Sequence, residues 1–269
     1  MKICVVTGSR ADAGLLAWPI KLLKADPFFE VDELSVQFQR FEDAHYNAET
    51  RFQLKRPDAI LVLGDRFEIL AVVIAAHRQR VPIIHLCGGD VSEGSYDDAM
   101  RDCISRMAAV HFTTSESATA RLVQMGCRNV YNVGSTSIDY IMHGDWKKPR
   151  PFPESYVVVA YYPETIDDTV NLDAVREAVG GRAAAWISQN PDRGAERIPK
   201  GVSYSHDKFL NLLLYCEEFI GNSSAMLYEA PFLSVKCRII GKRQRGRVIP
   251  EGDGKASERI VNTLKYVTL

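Results

Sequence analysis

Residues 58–86 read "DAILVLGDRFEILAVVIAAHRQRVPIIHL". A short apolar run ends on glycine, a dozen residues at helical spacing follow, and a second apolar run opens at a Val-Pro pair. That is strand, helix, strand, with a crossover long enough only for a parallel connection. Both runs are continuously apolar rather than alternating, as strands covered by helices on both faces must be. An α/β fold built on a parallel sheet follows.

The pattern extends in both directions. "KICVVTG" (2–8) is a strand that feeds the helical "AGLLAWPIKLLKA" (13–25). After "VPIIHL" come "YDDAMRDCISRMA" (96–108) as a helix, "VHFTTS" (110–115) as a strand, "ESATARLVQMG" (116–126) as a helix and "NVYNVG" (129–134) as a strand. Residues 144–155, "GDWKKPRPFPES", have three prolines, mixed charge and no periodicity, which is linker composition. The expected domains are therefore 1–148 and 149–269. A second alternating set follows: strand 156–162, helix 167–180, strand 183–189, helix 206–219, a "FIGNSS" loop, strand 236–242 and a last helix from Lys255 to Lys265. Two Rossmann-like halves of this kind gather their ligands where the strand C-termini open on a common cleft.

Composition excludes some functions. The 269 residues carry a net charge of -1, so no global charge commits the chain to nucleic acid or membrane. The basic "GKRQRGR" (241–247) is a local exception. No apolar stretch approaches the roughly 20 residues of a membrane helix, and the N-terminal run is too short for a signal peptide, so a cytoplasmic location is expected. Six cysteines without C-x-x-C spacing indicate neither zinc nor a disulfide framework; buried free thiols are expected.

The chemistry gathers after strands. "TGSRADAG" (7–14) places Gly8, a serine and Arg10 where a helix begins, a turn suited to phosphate through free backbone N–H groups and one cation. Asp65, after the 58–64 strand, is either an N-cap or a general base. The loop "HLCGGDVSEGSYDD" (85–98) adds Asp90, Glu93, Asp97 and Asp98, expected beside Asp65. Carboxylates crowded together raise one another's pKa, which suits proton transfer near neutrality. Asp97 and Asp98 also suit the first turn of a helix for dipole reasons alone. No metal-ligand spacing is present. In "IGNSSAMLYEAP" (220–231), Asn222, Ser223 and Ser224 form a turn able to cradle a diphosphate, and Glu229 can accept from two vicinal ribose hydroxyls. Capping alone would explain one serine, not the string.

"TGSRADAGLL", "LVLGDRFEIL", "GGDVSEGSYDDAMRD", "NVGSTSID", "GNSSAMLYEAP" and "GKRQRGR" stand in the order of the motifs of the UDP-N-acetylglucosamine 2-epimerase family. The chain most resembles its hydrolysing branch, over 1–143 and about 156–247. The resemblance implies a GT-B arrangement of two Rossmann-like domains, with UDP held mainly by the second. It implies a reaction on a UDP-sugar, without cofactor or metal: UDP leaves by elimination across C1 and C2, and water adds to the glycal. By position it implies acid/base roles for Asp65, Asp90 and Asp97 or Asp98, and Glu93 also falls on a family position. Arg10, Ser223, Ser224, Glu229 and Arg247 match nucleotide contacts, with Gly8, Asn222 and Arg243 in the same motifs. It also implies a homo-oligomer.

The departures are specific. The family has glutamate at Asp90, histidine at Asp102 and an acidic residue at Lys242. Its Tyr-His-Pro histidine, associated with the departing diphosphate, is Tyr162 here, which is neutral at pH 7 and offers less charge stabilisation. The stretch between "KADPFFEVDEL" (24–34) and "KRPDAILVLGD" (55–65) is shorter than in the family. These departures favour a second reading, a GT-B glycosyltransferase with a large acceptor, modified nucleic acid included. A binding protein without catalysis is the third, and the retained carboxylates argue against it.

Overall fold

The computed structural model describes residues 1–37, 39–189 and 193–269, with Arg10 and Ala11 described by their backbone alone. The chain divides into two compact units, one of Met1–Asp90, Asp97–Met142 and Pro250–Leu269, the other of Val91–Tyr96 and His143–Ile249.

In the first unit β1 (Lys2–Thr7), α1 (Arg10–Ala25), β2 (Glu30–Ser35), α2 (Phe41–Lys55), β3 (Ala59–Leu63), α3 (Phe67–Arg78) and β4 (Ile83–Leu86) follow one another. Then come α4 (Asp97–Met107), β5 (Val110–Thr113), α5 (Glu116–Gln124), β6 (Val130–Asn132) and α6 (Thr136–His143). The six strands form a parallel sheet in the order β2-β1-β3-β4-β5-β6. All five residues of β3 are buried, as its unbroken apolar run requires. Leu16, Leu23 and Phe112 pack on one face of the sheet; Ala44, Phe52, Ile69 and Val72 pack on the other. Chain order reverses between β1 and β3, and ligands of such sheets sit at that reversal, beyond the strand C-termini. Here the reversal sets the Gly8 and Asp65 turns on adjacent strands.

The second unit contains β7 (Val157–Ala160), α7 (Leu172–Val179), β8 (Ala184–Trp186), α8 (His206–Tyr215), β9 (Phe219–Gly221), α9 (Ala225–Tyr228) and β10 (Cys237–Ile239). Its sheet is parallel, in the order β10-β9-β7-β8.

Several expectations are corrected. The last helix, α10 (Ala256–Leu264), belongs to the first unit and not to a 149–269 domain. Its apolar Ile260, Val261 and Leu264 join the core on the α1 side. Asp139 fixes its start by accepting from the N–H groups of Ala256 (3.1 Å) and Ser257 (2.5 Å). Lys265 pairs with Asp26 at 2.5 Å. The short 35–54 stretch is not bare: β2 is already in place at its start, and α2 fills most of the rest. "FIGNSS" opens as strand β9 rather than loop, so α8 stops at Tyr215. Of the six free cysteines only Cys4 is buried, and Cys103 is exposed. Among the described residues no helix is long and apolar enough to cross a membrane.

Candidate functional site

The turn after β1 is held by a reciprocal cap. Ser9, the N-cap of α1, accepts from the Asp12 N–H (3.2 Å) and donates its hydroxyl to Asp12 Oδ1 (2.8 Å), while Asp12 Oδ2 accepts from the Gly8 N–H (2.9 Å). The Gly8 amide, expected to be free for phosphate, is thus already engaged. A Cβ at Gly8 would stand 3.0 Å from Ile69, so the position takes no larger residue without repacking. Burial pushes the Asp12 carboxyl up to about 6 despite these bonds, with the Asp65 charge adding to the effect. Arg10 opens α1, but its side chain lies outside the described residues.

Asp65 is not a helix cap, because Arg66 holds the N-cap position of α3 and makes no capping bond. Its partner is Arg101 of α4, 1% exposed, whose guanidinium donates to the carboxylates of Asp65 and Asp98 and to the Asp90 carbonyl oxygen (2.8 Å). Burial opposes the Arg101 charge, but Asp65, Asp98 and Asp90 outweigh it and hold the guanidinium above its ordinary range. The carboxylates expected to repel one another are therefore interleaved with a buried cation. The Asp90 carboxylate accepts from the Thr114 hydroxyl at 3.2 Å. Asp97 and Asp98 are half-buried in the first turn of α4, where acidic residues were expected.

Behind Asp65, buried His85 completes the support. Its Nε2 lies 2.9 Å from the Gly64 carbonyl oxygen and its Nδ1 3.0 Å from Ser105 Oγ. Burial pushes the imidazole down to about 3, so it is neutral: Nε2–H donates to Gly64 and Nδ1 accepts from Ser105. Gly64 has φ +85°, a conformation only glycine adopts at low cost, and His85 locks it just before Asp65. Asp12, Arg101 and His85 were not singled out from the sequence. The Asp98–Arg101 spacing of three on a helix was the available signal for the cation.

Glu93 belongs to the second unit with the rest of Val91–Tyr96. Its N–H donates to the Arg245 carbonyl (3.0 Å), and its carboxylate lies 3.8 Å from the Arg245 guanidinium. Asn222, fully buried, uses its amide on the Tyr162 backbone, accepting from N–H (2.7 Å) and donating to C=O (2.8 Å). It therefore shapes the turn rather than offering its amide to a ligand. Ser223 Oγ accepts from the Ala225 N–H (3.3 Å), whereas Ser224, at the start of α9, makes no capping bond. Glu229 follows α9 and is 6% exposed, with His206 Nε2 at 3.7 Å from its carboxylate. The Arg243 guanidinium donates to the Pro163 carbonyl and lies 5.7 Å from the Tyr162 ring centroid. Arg247 donates to Gln244 Oε1 (3.1 Å) and lies 5.5 Å from the Tyr228 ring. Gln244 in turn donates to the Asn222 carbonyl (2.9 Å), tying the 241–247 segment to the Asn-Ser-Ser turn. Among the described residues no group of three His, Cys, Asp or Glu side chains could hold a metal ion.

Residues 5–251 match the UDP-N-acetylglucosamine 2-epimerase family. The chain belongs to that family. It is 27% identical to the polysialic acid biosynthesis protein P7 of Escherichia coli, over 92% of this chain and 80% of that protein. It is 28% identical to the hydrolysing GDP/UDP-N,N'-diacetylbacillosamine 2-epimerase of Campylobacter jejuni, over 86% of this chain and 66% of that enzyme. The S. aureus MnaA–UDP co-structure superposes with a TM-score of 0.79 at 19% identity, covering 98% of this chain and 96% of that one, which shows a shared GT-B-like fold. Against this family the departures acquire surroundings. Asp102, in place of histidine, forms a two-pronged pair with Arg121 (2.8 Å for both contacts). Arg121 also reaches the Asp90 carbonyl at 3.4 Å.

Proposed function

We propose that this epimerase-family chain is a hydrolysing 2-epimerase acting in the cytoplasm on a UDP-N-acetylhexosamine. In this reading a carboxylate takes the proton from C2 as the C1–O bond breaks and UDP departs, leaving a C1=C2 glycal. Water then adds, its oxygen to C1, while a proton arrives at C2 from the opposite face. Asp65 and Asp90 exchange these protons, with Asp97 or Asp98 as the third acid/base group. Arg10, the Asn-Ser-Ser turn, Arg243 and Arg247 hold the diphosphate, Tyr162 faces the leaving group, and Glu229 accepts from the ribose.

The single observation that carries the reading is the Arg101 hub. A buried guanidinium fixing two carboxylates and the backbone of a third residue is costly unless each partner is held in place, and fixed carboxylates are what directional proton transfer needs. The relatives named as hydrolysing 2-epimerases support it over the transferase reading. β2 and α2 also remove part of the argument from a short first half.

The test is incubation with UDP-N-acetylglucosamine and UDP-N,N'-diacetylbacillosamine in deuterated water, with products followed by NMR. Free sugar inverted at C2 and carrying deuterium there is the expected result. UDP release without exchange at C2 would refute elimination and direct attention to transfer.

A further inference from the structure

The loop Val91–Tyr96 lies in sequence between β4 and α4 of the first unit, yet it packs within the second. Its contacts there converge on the basic 241–247 segment and on Thr165. The Glu93 N–H donates to the Arg245 carbonyl (3.0 Å), and the Tyr96 N–H donates to Thr165 Oγ1 (3.2 Å), which also lies 3.4 Å from Ser95 Oγ. Gly94 is not there for an unusual φ. It is there for space: a Cβ would stand 2.5 Å from Arg243 Cα and 2.7 Å from Arg243 N, inside any tolerable contact with backbone. The fit is reciprocal, since a Cβ on Gly246 would stand 2.8 Å from Val91 Cγ1 and 3.1 Å from Glu93 Oε1.

The segment so gripped presents Arg243, against Tyr162 and Pro163, and Arg247, against Tyr228 and Gln244. From the other side Glu164 accepts from the Lys242 N–H (2.5 Å). The basic segment is thus held by a loop whose flanking residues are Asp90 and Asp97.

We propose that Glu93 and Gly94 are positioning residues: they seat the 241–247 segment so that Arg243 and Arg247 meet the nucleotide diphosphate, and Glu93 carries no proton. The inference rests on the nucleotide-sugar reading above. It makes the acidic loop a strap as well as a carrier of carboxylates.

UDP affinity by calorimetry, together with KM and kcat for UDP release, tests it. Gly94→Ala must push Arg243 aside and is expected to raise the UDP Kd and the substrate KM about tenfold, with kcat changed much less. Thr165→Val keeps the shape, removes the anchor for Tyr96, and is expected to raise Kd about threefold. It carries the test if Gly94→Ala folds poorly. Glu93→Gln keeps the backbone bond to Arg245 but weakens the carboxylate–guanidinium pair, and is expected to raise Kd about twofold to threefold with no larger loss in kcat than in affinity. A wild-type chain that binds UDP while Gly94→Ala and Thr165→Val bind it equally well overturns the inference alone. A loss of kcat of about a hundredfold in Glu93→Gln at unchanged Kd also overturns it, by making Glu93 a proton carrier. A wild-type chain that binds no UDP overturns the nucleotide-sugar reading and the inference with it.

Discussion

Replacing Arg101 by methionine removes the cation between Asp65 and Asp98 while keeping most of the side-chain volume in a site 1% exposed. Removing one partner of a buried ion pair costs about 3–5 kcal/mol, because the remaining charge stays buried without compensation. The Asp65 and Asp98 side chains are 22% and 25% exposed, so water reaches them and the lower end, about 3 kcal/mol, applies. At about 2–4 °C per kcal/mol for a unit of this size, Tm should fall by about 6–12 °C at pH 7.5. Turnover should fall about a hundredfold or more, since carboxylates displaced by about 1 Å lose near-attack geometry. Arg101→Lys, which keeps charge but not the planar fork, should lie between the two. Circular-dichroism melts at pH 7.5, with a coupled assay for UDP release, supply the measurements. An Arg101→Met chain with wild-type Tm and wild-type turnover would refute the hub.

Three further outcomes are expected. Asp12, raised from 3.8 to about 6 by burial, binds its proton more tightly folded than unfolded. Relative to Asp12→Asn, the wild type should therefore be most stable below pH 4 and lose about 3 kcal/mol as pH rises through 6, read from urea midpoints across that range; a flat difference would show that the bonds to Gly8 and Ser9 offset the burial. Tyr162→His should raise kcat for UDP release at least about tenfold near pH 6.5, because Asn222 pins the backbone there whatever the side chain and an imidazolium stabilises the leaving diphosphate; unchanged kcat would separate Tyr162 from the leaving group. Glu229→Ala should weaken UDP about tenfold but leave 2'-deoxy-UDP nearly unaffected, measured by calorimetry; equal losses for both ligands would place the ribose elsewhere.

The sheet of the first unit was legible in the sequence because its central strands are buried on both faces, and an unbroken apolar run as short as β3, closed by Gly64, is too brief for a helix. The edge was not legible for the opposite reason. β2, "EVDELS", is a charged edge strand, and α2 buries only Ala44, Ala48 and Phe52, a stripe at spacing four in which two members are alanine. Such a stripe carries little apolar signal although it packs closely on α3. α10 shows a different limit: its apolar face is plain, but which unit it covers depends on where the chain returns, and periodicity carries no information about that.

The same distinction governs the site. Carboxylates announce themselves after strands, so Asp65, Asp90, Asp97 and Asp98 could be named from position alone. What holds them could not, because Arg101 sits in an amphipathic helix among Asp98, Asp102 and Arg106, where charges ordinarily mark a solvated face. Only the tertiary fold turns Arg101 inward, beneath the Asp65 turn that His85 locks through Gly64. The consequence for the chemistry is direct. An acidic loop without a buried cation would distribute protons by mutual repulsion, with the highest pKa falling on whichever carboxylate is most crowded. With Arg101 in the middle, Asp65 and Asp98 are both held by one guanidinium, and the Asp12 carboxyl, pushed up to about 6, is raised mainly by burial rather than by crowding. In the elimination proposed above, Asp65 is thereby held in a fixed position for the first proton transfer.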